Sequence, residues 1–168
     1  MSASSSPPAA DNPYVVRAAL LTDVPALAGL LGELFAIESD YVVHRVRQER
    51  GLAMLLGRPA DEACVLVADL SGQVVGMVTA QRLVSTAEGD WCAMIEDLVV
   101  TAAHRGHGLG PQLLAGVEAW CARQCFERLQ LLADRENSAA IEFYTRRQWQ
   151  SMHLVALRKY VRLSTARA

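Results

Sequence analysis

Three glycines alternate with other residues in Gly106-His107-Gly108-Leu109-Gly110, between an apolar run and a segment with helical spacing. Glycines at such a junction suggest phosphate binding, because a helix N-terminus exposes free N–H groups and partial positive charge. Two familiar phosphate loops do not fit. The dinucleotide pattern GxGxxG, begun at Gly106, needs glycine at 111, where Pro111 stands, and no early strand precedes it. A P-loop needs Gly-Lys-Ser/Thr, which is absent. A third pattern, Arg/Gln-x-x-Gly-x-Gly/Ala, does fit and reads Arg105-Gly106-His107-Gly108-Leu109-Gly110. Other reactive side chains point to plainer roles. Cys64, Cys92, Cys121 and Cys125 form no CxxC pair and read as buried small hydrophobes in a reducing compartment. His104 and His107 are neighbours, but no cysteine or carboxylate cluster completes a tetrahedral site, so no metal is expected.

The elements that must position the loop follow from periodicity. Tyr14 to Leu20 reads as a first strand; Thr22 or Asp23 caps a helix with Pro25 in its first turn. Leu27, Leu30, Leu31, Leu34 and Phe35 give that helix one buried face. A second helix covers Val42 to Leu56 and ends at Gly57. Ala63–Leu70 and Gln73–Leu83 read as hairpin partners across Ser71-Gly72. Trp91–Val100 is the next strand, followed by the loop and a helix presenting Leu109, Leu113, Leu114, Val117 and Trp120. Arg128–Ala133 is a short strand, Ser138–Arg147 a helix and Met152–Val161 a closing strand. The order β-α-α-β-β-β-α-β-α-β predicts an α+β or α/β sandwich with one sheet between helices.

Bulk properties narrow the function. The 168 residues are the size of one domain, 52% of them are hydrophobic, and the net charge is −2. With a pI near 6.1, a general nucleic-acid binder is disfavoured. No apolar stretch is long enough to cross a bilayer, so no membrane partner is expected. Residues 1–13, rich in Ser, Ala and Pro, read as a disordered tail rather than a secretory signal, leaving 14–168 as one cytoplasmic domain.

The loop, with two flanking motifs, resembles the GNAT superfamily of N-acetyltransferases. Upstream, Ile95-Glu96-Asp97-Leu98-Val99-Val100 looks like the family's fourth strand; downstream, Asn137, Ala140, Phe143 and Tyr144 match its NxxAxxFY pattern. The resemblance spans roughly Val15 to Tyr160, and Arg17, Asp23 and Leu27 look like its first strand and helix. It implies a mixed, mostly antiparallel sheet of six to seven strands flanked by four helices, splayed between the fourth and fifth strands. It also implies acetyl-CoA as cosubstrate. Arg105, Gly106, His107, Gly108, Leu109 and Gly110 would wrap the CoA pyrophosphate, where a Cβ would keep the anion from the backbone. Leu98, Val99 and Val100 would pair with pantetheine like an added strand, and Asn137, Ala140 and Tyr144 would line the donor. Pro111 removes one possible N–H donor.

Acyl transfer sets two requirements. An alkylamine of pKa near 10.4 is neutral in about one molecule in 2,500 at pH 7, roughly a 4.6 kcal/mol penalty, so a base must take its proton. The CoA thiol, with a pKa of about 8.5, leaves more easily with a proton donor nearby. By the resemblance Tyr144 is that donor, or else a core aromatic paired with Phe143; Asn137 contacts the cofactor, caps its helix, or both. Glu96 is the candidate base, direct or through water, with Asp97 the lesser choice. Adjacent strand residues face opposite sides, so both carboxylates reach one side only if a bulge reorients one.

Between the first two helices, Glu33, Glu38 and Asp40 near Phe35 and Tyr41 would suit a cationic acceptor, or form a solvated helix end. His44, Arg45, Arg47 and Arg50 pull the other way. One departure from the family is Gln148-Trp149 in place of Gly-Phe. Gln in a left-handed helix cap costs about 1 kcal/mol, which points to a turn closed differently and a shifted last strand. A homodimer through this end is expected. The leading expectation is acetylation of a small-molecule primary amine in a ternary complex. The alternatives are a protein N-terminal or lysine acetyltransferase, and a non-catalytic CoA-binding regulatory module.

Overall fold

The computed structural model describes residues 12–37 and 40–161, so nearly all of the expected tail at 1–13 lies outside the described residues. The chain divides into two compact units, one running to Leu131 and the other from Leu132.

The first unit holds a five-stranded sheet in the order β1-β2-β3-β4-β5. Its strands are β1 (Tyr14–Ala18), β2 (Ala63–Leu70), β3 (Gln73–Ser85), β4 (Asp90–Val100) and β5 (Leu129–Leu131). The first three pairings are antiparallel and β4–β5 is parallel. Helices α1 (Val24–Phe35) and α2 (Arg45–Leu56) follow β1, and α3 (Leu109–Arg123) follows β4. The helical spacing read from Leu27, Leu30 and Leu31 puts these side chains in a buried cluster with Leu52, Val65, Val67, Met77 and Val99, so α1 and α2 cover one face. Each such side chain contributes about 1.5–3 kcal/mol on burial. The other face carries α3, seated closely because Gly116 has no side chain. A Cβ there would stand 2.5 Å from Leu66 Cδ1. On this face Leu109, Leu113, Leu114 and Val117 are buried, and Trp120 donates its indole N–H to the Ala60 carbonyl at 2.7 Å.

Three thiols are buried as expected. Burial pushes Cys64 up to about 12 and Cys121 to about 11, which leaves both protonated and unreactive. Cys125 is exposed, with φ 58 at the left-handed position closing α3. Asp23 precedes α1 at the expected N-cap position, but its carboxylate takes no N–H of that helix; it takes the Leu20 N–H and both terminal nitrogens of Arg17 instead. Arg17 also reaches Asp69, whose other oxygen accepts the Gly72 N–H at 2.6 Å. One guanidinium therefore ties β1 to the start of α1 and to the β2–β3 turn. Both aspartates are held below the usual carboxylate range, Asp23 chiefly by Arg17 and Asp69 chiefly by the Gly72 N–H.

The second unit contains α4 (Ser138–Thr145). Gln148 keeps the left-handed cap at φ 66, contrary to the expectation of a differently closed turn. The hydrogen bonds Trp149 N–H to Tyr144 O and Gln148 N–H to Thr145 O form there, and packing of Trp149 on Tyr144 adds to them. The closing strand expected at Met152–Val161 is not formed: this stretch has no regular element, and Leu154, Leu157 and Tyr160 are exposed. Strand-forming residues make a strand only where a neighbour receives their N–H and C=O groups, and none does so among the described residues. Among the described residues the sheet accordingly has five strands, not six or seven. The mixed, mostly antiparallel architecture and the four α-helices are as expected.

Candidate active site

The glycine loop runs from β4 into α3 by way of a single 3-10 turn at Ala102–His104. Gly106 and Gly108 have φ of 80 and 75. A Cβ at Gly108 would meet nothing closer than Gln112 Nε2 at 3.8 Å, so the glycine requirement there is conformational, not steric. No backbone acceptor among the described residues takes the N–H groups of Gly106, His107, Gly108, Leu109 or Gly110. Pro111, the third residue of α3, sits where no helical bond is lost; the first bond is Gln112 N–H to Gly108 O. The loop is fastened on both sides. Arg105 Nε donates to the Val100 carbonyl at 3.0 Å, and His107 Nδ1 lies 3.0 Å from the Arg105 carbonyl. A carbonyl only accepts, so His107 carries its proton on Nδ1. Tyr14 at the start of β1 places its hydroxyl 2.9 Å from His104 Nδ1, and Asn12 donates to Gln112 Oε1. Gly106, His107 and Gly108 are exposed, so at this helix N-terminus the loop presents N–H groups with no backbone partner among the described residues, which suits an anionic diphosphate.

Immediately upstream, the β3–β4 register slips by one. Thr79 stands opposite Asp97, but Ala80 stands opposite Ile95, so Glu96 is the extra residue of a β-bulge. The consequence can be counted from either side. Met77 and Val99 are partners in the α1/α2 cluster, so two residues back Asp97, opposite Thr79, faces α1 and α2 as well. The β3 positions Gly76 and Leu66-paired Val78 face α3, since a Cβ at Gly76 would meet Leu113 and Leu66 lies under Gly116. Ala80 continues that parity, so its partner Ile95 also faces α3. Glu96, next to Ile95, then returns to the α1/α2 face. The bulge therefore brings two adjacent carboxylates to one side of the sheet. Glu96 is exposed; Asp97 is half-buried and accepts from the Thr79 hydroxyl at 2.8 Å.

β5 pairs with β4 only over Ala93–Ile95. From Glu96 through Leu98, Val99 and Val100, β4 has β3 on one side and no strand on the other among the described residues. This is the splay expected between the fourth and fifth strands, and it leaves a strand edge open beside the loop.

Phe35 packs on the α1/α2 cluster, and Tyr41 stacks on it with ring centroids 4.9 Å apart and an interplanar angle of 16°. The proposed acceptor aromatics therefore lie over the same sheet face as the carboxylate pair. Of the acids beside them, Glu33 accepts from the Thr101 hydroxyl at 2.9 Å, which uses it to hold α1 to the end of β4. Glu38 lies outside the described residues. In the second unit Asn137 caps α4, its Oδ1 accepting the Ala140 N–H at 3.0 Å. The cap uses only the oxygen, and the amide Nδ2 has no hydrogen-bond partner among the described residues. Tyr144 is half-buried between Phe143 and Trp149, at 5.1 and 5.5 Å centroid separation.

Two residues escaped the sequence reading. Thr79 was detectable as a lone hydroxyl inside the apolar run Val74–Ala80. Tyr14 carried no local signal, because its partner His104 lies 90 residues away. Among the described residues no group of His, Cys, Asp or Glu side chains could hold a metal ion, and no helix is long and apolar enough to cross a membrane.

Comparison with known proteins bears on the fold and the family. An aminoalkylphosphonate N-acetyltransferase of Salmonella typhimurium is 29% identical over 138 residues, spanning 82% of this chain and 86% of that one. A crystal structure described as a transcriptional regulator from Bacillus halodurans superposes with a TM-score of 0.77 at 20% identity, covering 88% of this chain and 99% of that one. The aminoglycoside N-acetyltransferase AAC(6')-Iy, solved in complex with CoA, gives 0.74 at 16% identity, with 88% and 94% coverage. The family model for the acetyltransferase (GNAT) family matches residues 29–148, a stretch running from within α1 through α4 and holding the loop, the bulge and the open strand edge. The chain belongs to the acetyltransferase (GNAT) family and is an acyltransferase.

Proposed function

We propose that this enzyme transfers the acetyl group of acetyl-CoA to the primary amine of a small molecule, by direct attack in a ternary complex. The observation that carries the reading is the bulge, which puts Glu96 and Asp97 on the sheet face bearing Phe35 and Tyr41. A cationic amine is attracted there by charge and by the aromatic faces. The similarity to an aminoalkylphosphonate N-acetyltransferase, whose acceptor is by name a small amine, supports the same class.

Acetyl-CoA supplies an activated thioester. The residues present suit it: free N–H groups of Gly106 to Gly110 for the pyrophosphate, and the open edge at Leu98, Val99 and Val100 for the amide-bearing arm. Asn137 and Ala140 join this donor-binding set by family resemblance. Glu96, exposed and on the acceptor face, takes the ammonium proton so that the amine can attack. Asp97, engaged by Thr79, holds the acceptor's charge. Tyr144 is assigned by resemblance to protonate the departing thiolate.

The experiment is calorimetric titration with acetyl-CoA of the full chain and of Gly108→Asp, followed by a panel of small primary amines. The wild type should bind acetyl-CoA and turn over at least one amine. Gly108→Asp should weaken binding by about 100-fold or more, from backbone strain at φ 75 and from charge repulsion with the diphosphate. Equal affinity in the variant would sink the loop assignment. Turnover only on peptide N-termini or lysines would replace the acceptor class, and donor binding without turnover on any amine would leave a binding module.

A further inference from the structure

We propose that Thr79 is a positioning residue for the acyl transfer: its hydroxyl holds the β4 bulge and thereby keeps Glu96 and Asp97 on the acceptor face. The inference rests on the reading of Glu96 as base. Thr79 is fully buried, and on β3 its neighbours Val75, Met77, Val78 and Ala80 are equally inaccessible and wholly apolar. A hydroxyl placed among them needs both a donor and an acceptor nearby. It has both in one residue. Thr79 Oγ1 donates to Asp97 Oδ2 at 2.8 Å and accepts the Asp97 N–H at 3.2 Å.

These two bonds grip Asp97 by side chain and backbone at the position where the register slips, between Thr79 and Ala80. A bulge disrupts the ladder locally, so the displaced groups need another partner, and the Thr79 hydroxyl supplies it. Without that grip β4 can regain regular alternation. With Asp97 on the α1/α2 face, alternation would send Glu96 to the α3 face and remove the base from the acceptor. Thr79 touches neither donor nor acceptor in this scheme; it acts through the two carboxylates.

The test uses the full chain with Thr79→Val, which keeps the shape and deletes the hydroxyl, and Thr79→Ser, which keeps the hydroxyl. Turnover, acceptor KM, the pH profile of kcat/KM and the acetyl-CoA Kd are measured for each. Thr79→Val should lower kcat by about 10–100-fold, the scale of a misplaced reacting group, with the acetyl-CoA Kd within about twofold. Its pH profile should shift, and Thr79→Ser should regain activity to within about threefold. Should Thr79→Val fail to fold, Thr79→Cys, whose thiol is a weak hydrogen-bonding partner, carries the same comparison. A folded Thr79→Val with wild-type kcat and pH profile overturns the inference, as does a Thr79→Ser no better than Thr79→Val. Wild-type transfer that survives Glu96→Gln overturns the underlying reading of the base, and an unchanged Thr79→Val beside a crippled Glu96→Gln overturns this inference alone.

Discussion

The loop at Arg105–Gly110 and the bulge at Glu96 stand only a few residues apart, yet they are shaped by different means. The loop holds its form through residues that it contains: glycines at φ 80 and 75, and an arginine and a histidine that bond to backbone carbonyls within or beside it. The bulge holds its form through Thr79 on another strand, 18 residues earlier. A loop of the first kind tolerates changes elsewhere in the sheet and fails when one of its glycines changes. A bulge of the second kind can be lost with every residue of β4 intact. In the proposed function the two also divide the chemistry, with donor affinity at the loop and proton transfer at the bulge.

The largest effect that could break this division is expected at Glu96. Glu96→Gln should reduce kcat by about 100-fold or more while the acetyl-CoA Kd stays near wild type, the opposite pattern from Gly108→Asp. Asp97→Asn should cost less. If steady-state and binding measurements reverse that order, Asp97 is the base and Glu96 holds the acceptor.

A moderate effect is expected at Tyr144. Tyr144→Phe should lower kcat by about 10–100-fold with little change in donor affinity, since the ring and its packing against Phe143 and Trp149 remain. Unaltered turnover would leave proton delivery to solvent and confine the chemistry to the bulge.

The smallest effect concerns stability and lies in neither region. Asp23 and Asp69 titrate lower in the folded chain than the roughly 3.9 of an unfolded aspartate, so the unfolded state gains protons first as pH falls. Their stabilisation is complete above that unfolded value and is lost as pH drops through the folded ones. Thermal melts between pH 6 and pH 3 should show a steeper loss for wild type than for Asp23→Asn, with a difference of about 2–4 °C in Tm. Parallel curves would mean that the Arg17 ion pairs contribute nothing measurable.

Much of the fold around the candidate site was legible because its signals are local. Leu27, Leu30 and Leu31 name a helix face by spacing alone, and Asn137 before Ser138 announces the cap that Ala140 N–H completes. The Met152–Val161 segment shows the limit of such signals. Its residues favour a strand, but a strand is a pair, and no described residue pairs with it in a ladder. Gln148 shows the converse. A residue type that disfavours φ 66 adopts it anyway, at about 1 kcal/mol, because the hydrogen bonds and the Trp149 ring that close α4 outweigh the strain.

The amino-acid sequence by itself determined the family, the cofactor-loop pattern, the order of elements and the identity of the acids, since each depends on residue type and spacing along one chain. Only the tertiary structure decided that Glu96 and Asp97 share a face, that the Thr79 hydroxyl bonds Asp97 there and that Tyr14 reaches the loop through His104. Those are relations between strands and helices far apart in sequence. A one-residue slip in β3–β4 pairing reverses which side a carboxylate faces, and no composition or period within β4 records that slip.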